Sequence, residues 1–224
     1  MRPLLPPRIV LSIILIAISA SLLGLIGSSL SWKARHKHES ATLTSGNGTE
    51  SANLLIFPRY TQIGSYAILV AAGCGGLVDQ LLYLLFTLVK RDIFGLRIPN
   101  LMIAKALISL RVCIGIGALV FSFVQYYDSG EFRMSMAPLE GVYEAGHFTM
   151  EAWTCQTRMR IDRGYRGDFE RLCREGKTAR WLLIPYVVLS ILLLGLEFWA
   201  GGSEVTVQRS EIEAEGSRVV ENKV

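Results

Sequence analysis

The sequence contains no CxxC pair, no GxSxG elbow, no glycine-rich phosphate loop and no HExxH helix. Dithiol exchange, elbow-type serine hydrolysis, phosphate cradling and zinc peptidase chemistry therefore have no motif to rest on. Charge is scarce as well. Only 19% of the 224 residues are Asp, Glu, Lys or Arg, and a net charge of +4 is spread over several segments. No concentrated basic surface results, which argues against nucleic acid as a partner. No internal repeat is visible, so a transporter assembled from two related halves is not indicated.

What the chain has in excess is apolar surface, with 51% hydrophobic residues and a mean hydropathy of +0.38. That is more than a soluble domain needs to fill a core, and the remainder is expected to face lipid. A spanning helix takes about 20 apolar residues to cross roughly 30 Å of hydrocarbon. Four segments meet that length: 9–31, 63–89, 98–126 and 181–200. Aromatic residues mark their ends, namely Trp32, Tyr60, Tyr66, Tyr126, Tyr127, Trp181, Phe198 and Trp199, as expected for rings at headgroup depth. The first apolar run is too long for a secretory signal and reads as an uncleaved anchor. The expected architecture is all-α: an integral membrane four-helix bundle over 1–200, with outer loops 32–62 and 127–180. A disordered acidic tail over 201–224 is expected to follow, because it is rich in Glu and polar residues and poor in large apolar ones.

Two features place the first and third loops outside the cytosol. Asn47-Gly48-Thr49 forms a glycan acceptor sequon in a Ser/Thr/Gly-rich stretch, and Cys155 and Cys173 lie in the long third loop. A cysteine pair in an aqueous loop is usable as a disulfide in an oxidising compartment, and in a cytosolic loop it would be two reduced thiols. Cys74 and Cys113 fall inside apolar segments and are expected to be small packers there. With both loops outside, the termini and the short second loop, containing Lys90, Arg91 and Arg97, are cytosolic, in the secretory pathway or at the plasma membrane. The charge distribution opposes this orientation, since Lys33, Arg35 and Lys37 open the first loop and Arg171, Arg174, Lys177 and Arg180 close the third.

Ionisable residues inside apolar helices cost roughly 2.5 to 3.5 kcal/mol each on insertion scales, so they are the first place to look for function. Asp79 lies ten residues before Val89 and Arg111 twelve after Pro99. At 1.5 Å per residue both sit about 15 to 18 Å from the same surface, on helices joined by a short connection, and an ion pair is expected. Gly73, Gly75 and Gly76 on one helix and Gly115 and Gly117 on the other would let the two backbones approach closely. The pair reads as a structural clasp in preference to a proton or ion relay, because one matched pair satisfies itself. Lys105 and Glu197 are expected to snorkel to the interface.

In the third loop, Glu140, Glu144, His147 and Glu151 have spacings that would align them on one helical face. Glu144-x-x-His147 has the carboxylate and histidine spacing of di-iron helices, but it occurs once, so an acidic solvated face is expected, with no metal and no cofactor. The loop also divides into an acidic first part (Asp128 to Glu151) and a basic second part (Arg158 to Arg174). Folding back through the cysteines would pair the two halves into a compact cap, or leave them as a surface for a partner. His36 and His38, among basic residues, read as a solvated juxtamembrane cluster. The partners that follow are the lipid bilayer and other membrane proteins.

The run Glu151-x-Trp153-x-Cys155, followed by Cys173, Glu175, Arg180 and Trp181-Leu-Leu-Ile-Pro185, resembles small four-span membrane proteins of filamentous fungi. That resemblance implies a four-span topology and no assigned activity. Claudin-type and MARVEL-type four-span proteins are similar in architecture alone, since the first loop here has no cysteine. The expected function is that of a noncatalytic organiser of, or accessory to, other membrane proteins. A small transporter using Asp79 and Arg111 is the alternative, and an unfamiliar membrane-embedded enzyme comes third.

Overall fold

The structure is a computed structural model describing residues 5–45, 50–88 and 100–221, with side chains over 7–45, 50–85 and 105–199. The sequon at Asn47 and the basic residues Lys90, Arg91 and Arg97 lie outside the described residues. In chain order the elements are α1 (Leu5–His36), β1 (Ser40–Thr44), β2 (Ser51–Leu55), β3 (Thr61–Gln62), α2 (Gly64–Leu88), α3 (Asn100–Tyr127), β4 (Glu140–Gly141), β5 (Phe148–Thr149), α4 (Met150–Thr157) and α5 (Arg163–Glu221). Four of these helices, α1, α2, α3 and α5, are long and apolar enough to cross a membrane. They pack side by side, with α1 against α2 and α5, and α3 against the same two.

Helix α1 runs five residues past its expected end. Trp32 in that last turn is buried, edge-on to Phe57 at 5.8 Å and Phe169 at 5.9 Å, and stacked on His36 at 4.2 Å. Packing a residue of this size outweighs the polar character of Lys33 and Arg35, whose charges also suit a helix C-terminus. Trp32 is therefore a core residue and not a headgroup anchor. The same correction applies to Tyr66, which is buried, whereas Tyr127 is exposed at the end of α3 and Trp181, Phe198 and Trp199 are exposed along α5. Helix α5 begins at Arg163, well before Trp181, and continues to Glu221, through the stretch whose composition suggests a disordered tail. Once the apolar portion fixes the helix, each further residue adds a hydrogen bond without a new nucleation cost.

The third loop is closed by its own disulfide but is completed by the first, which adds short strands to a mostly helical chain. β1 and β2 form an antiparallel hairpin with Ser40 opposite Leu55, and β4 adds parallel to β2. Ala41, Leu43, Ala52 and Leu54 point inward from this hairpin, a period-two pattern hidden in a Ser/Thr-rich segment. β3 pairs in parallel with β5, and a backbone bond from Thr44 N to Arg160 O (2.7 Å) ties the hairpin to the end of α4.

Beneath the strands, the fully buried Trp153 of α4 contacts Phe132, Tyr143 and Phe148 at centroid distances of 5.4, 5.5 and 5.3 Å. Its indole N–H donates to the Ile56 carbonyl at 2.8 Å. Thr149 caps α4 by accepting from Ala152 N, and Asp162 caps α5 by accepting from Gly164 N and Tyr165 N. A Cys155–Cys173 disulfide then bolts α4 to the overhanging first part of α5. Closing an 18-residue separation contributes about 3 kcal/mol in the loop-entropy account. Cys155→Ser/Cys173→Ser is accordingly expected to lower the denaturation midpoint of the purified protein by that equivalent, while the helical circular dichroism before the transition is retained.

Candidate functional site: three ion pairs with buried carboxylates

Ionisable side chains are buried at three levels along the helices. At the middle level Arg111 Nη1 lies 3.2 Å from Asp79 Oδ2, with both side chains buried, so the structure brings the expected pair together. Gln80 joins them. In the amide orientation that satisfies both its ends, it accepts from the Arg111 guanidinium and donates to Ser12 Oγ at 3.2 Å, linking α1, α2 and α3. The glycines around this pair do not serve the α2–α3 approach. A Cβ on Gly76 would collide with the Tyr186 hydroxyl and lie 2.8 Å from Ser19 Oγ, and one on Gly115 would lie 3.1 Å from the Tyr186 ring. Both glycines make room for Tyr186 of α5, and Gly73 makes room for Leu23 of α1, whereas Gly75 and Gly117 face open space.

At the end remote from the strands, Glu197 is buried, accepts from the Tyr83 hydroxyl at 2.6 Å and sits 3.3 Å from Arg8 Nε. It does not snorkel as expected, because a hydrogen bond from Tyr83 of α2 and an ion pair with Arg8 of α1 hold it inside. Lys105, its expected neighbour, instead lies over the Phe198 ring at 4.9 Å.

The third level is where the strands and α4 meet the long helices. Arg180 Nη2 donates to Glu151 Oε1 at 2.9 Å, and both side chains are buried. The Arg180 guanidinium also covers the Tyr126 ring at 3.6 Å and the Phe123 ring at 4.9 Å. Gly176 lets this happen: a Cβ there would lie 2.9 Å from Glu151 Cβ. Burial pushes the Glu151 carboxyl up from 4.5 to about 7, outweighing the attraction of Arg180 and Lys177. Between those two values the folded protein holds a proton that the unfolded chain has released, so stability is greatest below the lower value and falls as pH rises. A loss on the order of 3 kcal/mol is expected between pH 4.5 and 8, read as a falling melting temperature, and Glu151→Gln should flatten that slope.

The Glu140, Glu144, His147 and Glu151 alignment does not form. Glu140 is in β4, Gly146 turns the chain with a φ of 82°, and Glu151 opens α4. Glu144 pairs with Arg59 of the first loop at 2.6 Å and His147 lies edge-on to Tyr60. Among the described residues no three His, Cys, Asp or Glu side chains come together as a metal-binding group. Most of the loop's basic second part does not meet its acidic first part. Arg171 pairs along its own helix with Asp168 and Glu175, and Glu175 accepts from Ser28 and Ser29 of α1. Cys74 and Cys113 are free and exposed on their helices, not packed between them. No family model, no curated protein and no solved structure matches the chain.

Proposed function

We propose that the chain is a noncatalytic four-span membrane protein whose folded cap organises or assists other membrane proteins. The observation carrying this reading is that each buried acid is matched to one base: Asp79 to Arg111, Glu197 to Arg8 and Glu151 to Arg180. One acid facing one base on a neighbouring helix fixes register, whereas a relay needs a series of exchangeable groups leading from one side to the other, and the three pairs lie at separate levels. Side chains left for a partner are on the cap, where Leu139 and Met159 are 82% and 68% exposed.

In this reading the cap stands in an oxidising compartment, the termini are cytosolic and Asn47 carries a glycan. The disulfide supports that orientation. Three of the seven charges that oppose it are engaged by the fold: Lys33 lies over the Phe57 ring, Arg171 is in helix pairs, and Arg180 is buried against Glu151, whereas Arg35, Lys37, Arg174 and Lys177 are exposed. The engaged three are folded-domain charges and not free juxtamembrane ones, which lowers their weight in the charge rule.

The test is reconstitution into sealed vesicles. Wild-type protein should leave proton and cation permeability at the protein-free level, and Leu139→Glu should remove crosslinked assemblies in native membranes while the disulfide still forms. A flux abolished by Asp79→Asn at normal expression would replace this reading with the transporter.

A further inference from the structure

Between α2 and α3 lies a cavity of about 200 Å³. Its walls are Val78, Leu82, Leu110 and Ile114, all partly open on the outer face of the helices. Its floor is Asp79, Arg111 and Tyr186. These three are at least nine-tenths buried, yet both Asp79 carboxylate oxygens, Arg111 Nε and the Tyr186 hydroxyl lack a hydrogen-bond partner among the described residues. The ion pair at 3.2 Å engages Asp79 Oδ2 with Arg111 Nη1 and leaves Asp79 Oδ1, Arg111 Nε and the Tyr186 hydroxyl available. Buried polar atoms of this kind are ordinarily satisfied, and leaving them unmade costs about 1 to 3 kcal/mol each.

We propose that this cavity is a lateral binding site for a membrane amphiphile with one uncharged hydroxyl head and an apolar body. The inference rests on the reading that the four helices span a membrane, since the mouth then opens to lipid. The floor has one negative and one positive group, so its net charge is zero. A carboxylate head would face Asp79, an ammonium head would face Arg111, and either would have to be stripped of water to arrive. A hydroxyl donates to the Asp79 carboxylate and accepts from Arg111 Nε or the Tyr186 hydroxyl with a single oxygen. Asp79 lies nine residues from the end of α2 at Leu88 and fifteen from its start at Gly64. At 1.5 Å per residue the head sits about 14 Å and 22 Å from the two ends, a depth that suits a weakly polar head and rejects a phospholipid headgroup. The volume takes the head and the adjoining part of the chain, and the rest of the body lies along the exposed apolar side chains.

The experiment uses the full chain in phosphatidylcholine nanodiscs and a long-chain primary alcohol carrying a diazirine near its head. Its methyl ether, the matching carboxylic acid and a diazirine hydrocarbon without a head are the comparisons. The alcohol is expected to label the segments 75–82 and 107–114 roughly tenfold more than the ether or the acid. Gly75→Leu fills the cavity from a position where an added Cβ meets nothing within 4 Å, and should remove that labelling while the protein still folds. Equal labelling by alcohol and ether, or labelling insensitive to Gly75→Leu, overturns the site. Failure of the headless hydrocarbon to label Leu85, Val120 and Val124, all exposed on the helices, overturns the membrane reading and the site with it.

Discussion

Replacing Trp153 by alanine should unfold the cap, with a loss of about 3 to 5 kcal/mol for removing a large buried aromatic. Trp153 is fully buried, three aromatic rings rest on it, and its N–H holds the Ile56 carbonyl. The substitution leaves a cavity and an unpaired carbonyl at the seam between the first and third loops, so the two losses add. The measurement is the rate at which the Cys155–Cys173 bond becomes reducible under mild thiol, which rises when the cap opens. Trp153→Phe keeps most of the volume and loses only the indole donor, and should fall between wild type and alanine. Unchanged reducibility in Trp153→Ala would mean that the aromatic cluster does not hold the cap together.

The second large effect is at the Glu151–Arg180 pair. Glu151→Met strands a guanidinium in a buried site, and a loss of about 3 to 5 kcal/mol is expected. Arg180→Met strands a carboxylate, which can escape by taking up a proton, so its loss should be smaller at pH 5 than at pH 8. The double replacement Glu151→Met/Arg180→Met removes both charges from a region already lined by Tyr66, Phe123 and Tyr126. It should be near neutral, or more stable than wild type by about 1 to 4 kcal/mol. Thermal melts of the four proteins form a double-mutant cycle. Additive losses would show that the two side chains do not act as a pair.

The parts of this molecule legible in its sequence are those set by length and depth. Four apolar runs announced four long helices, because about 20 residues without charge is a pattern few other structures produce. Which two cysteines could pair followed from depth, since Cys74 and Cys113 fall within apolar runs. Asp79 and Arg111 were legible as partners because residue counting along an α-helix converts directly into distance.

What stayed hidden depends on contacts between distant segments. The β1–β2 hairpin is built from Ser40–Thr44 and Ser51–Leu55, where the inward residues are as small as Ala41 and Ala52, so alternation is weak and polar composition dominates. Glu151 and Arg180 are 29 residues apart and meet only because the disulfide and Gly176 bring α4 against α5. Glu197 looked interfacial because its partners Arg8 and Tyr83 come from two other helices. The glycines were recognised as sites of close approach, but the sequence did not indicate that Tyr186, and not the neighbouring backbone, fills the space.

Protease protection in sealed microsomes tests the central claim most directly, because it reads insertion, span number and orientation together. With vesicles intact, added protease should remove tags at both termini and leave a protected fragment containing the cap, still closed by the Cys155–Cys173 disulfide. Degradation of the cap in intact vesicles, with protected termini or none, would contradict the account.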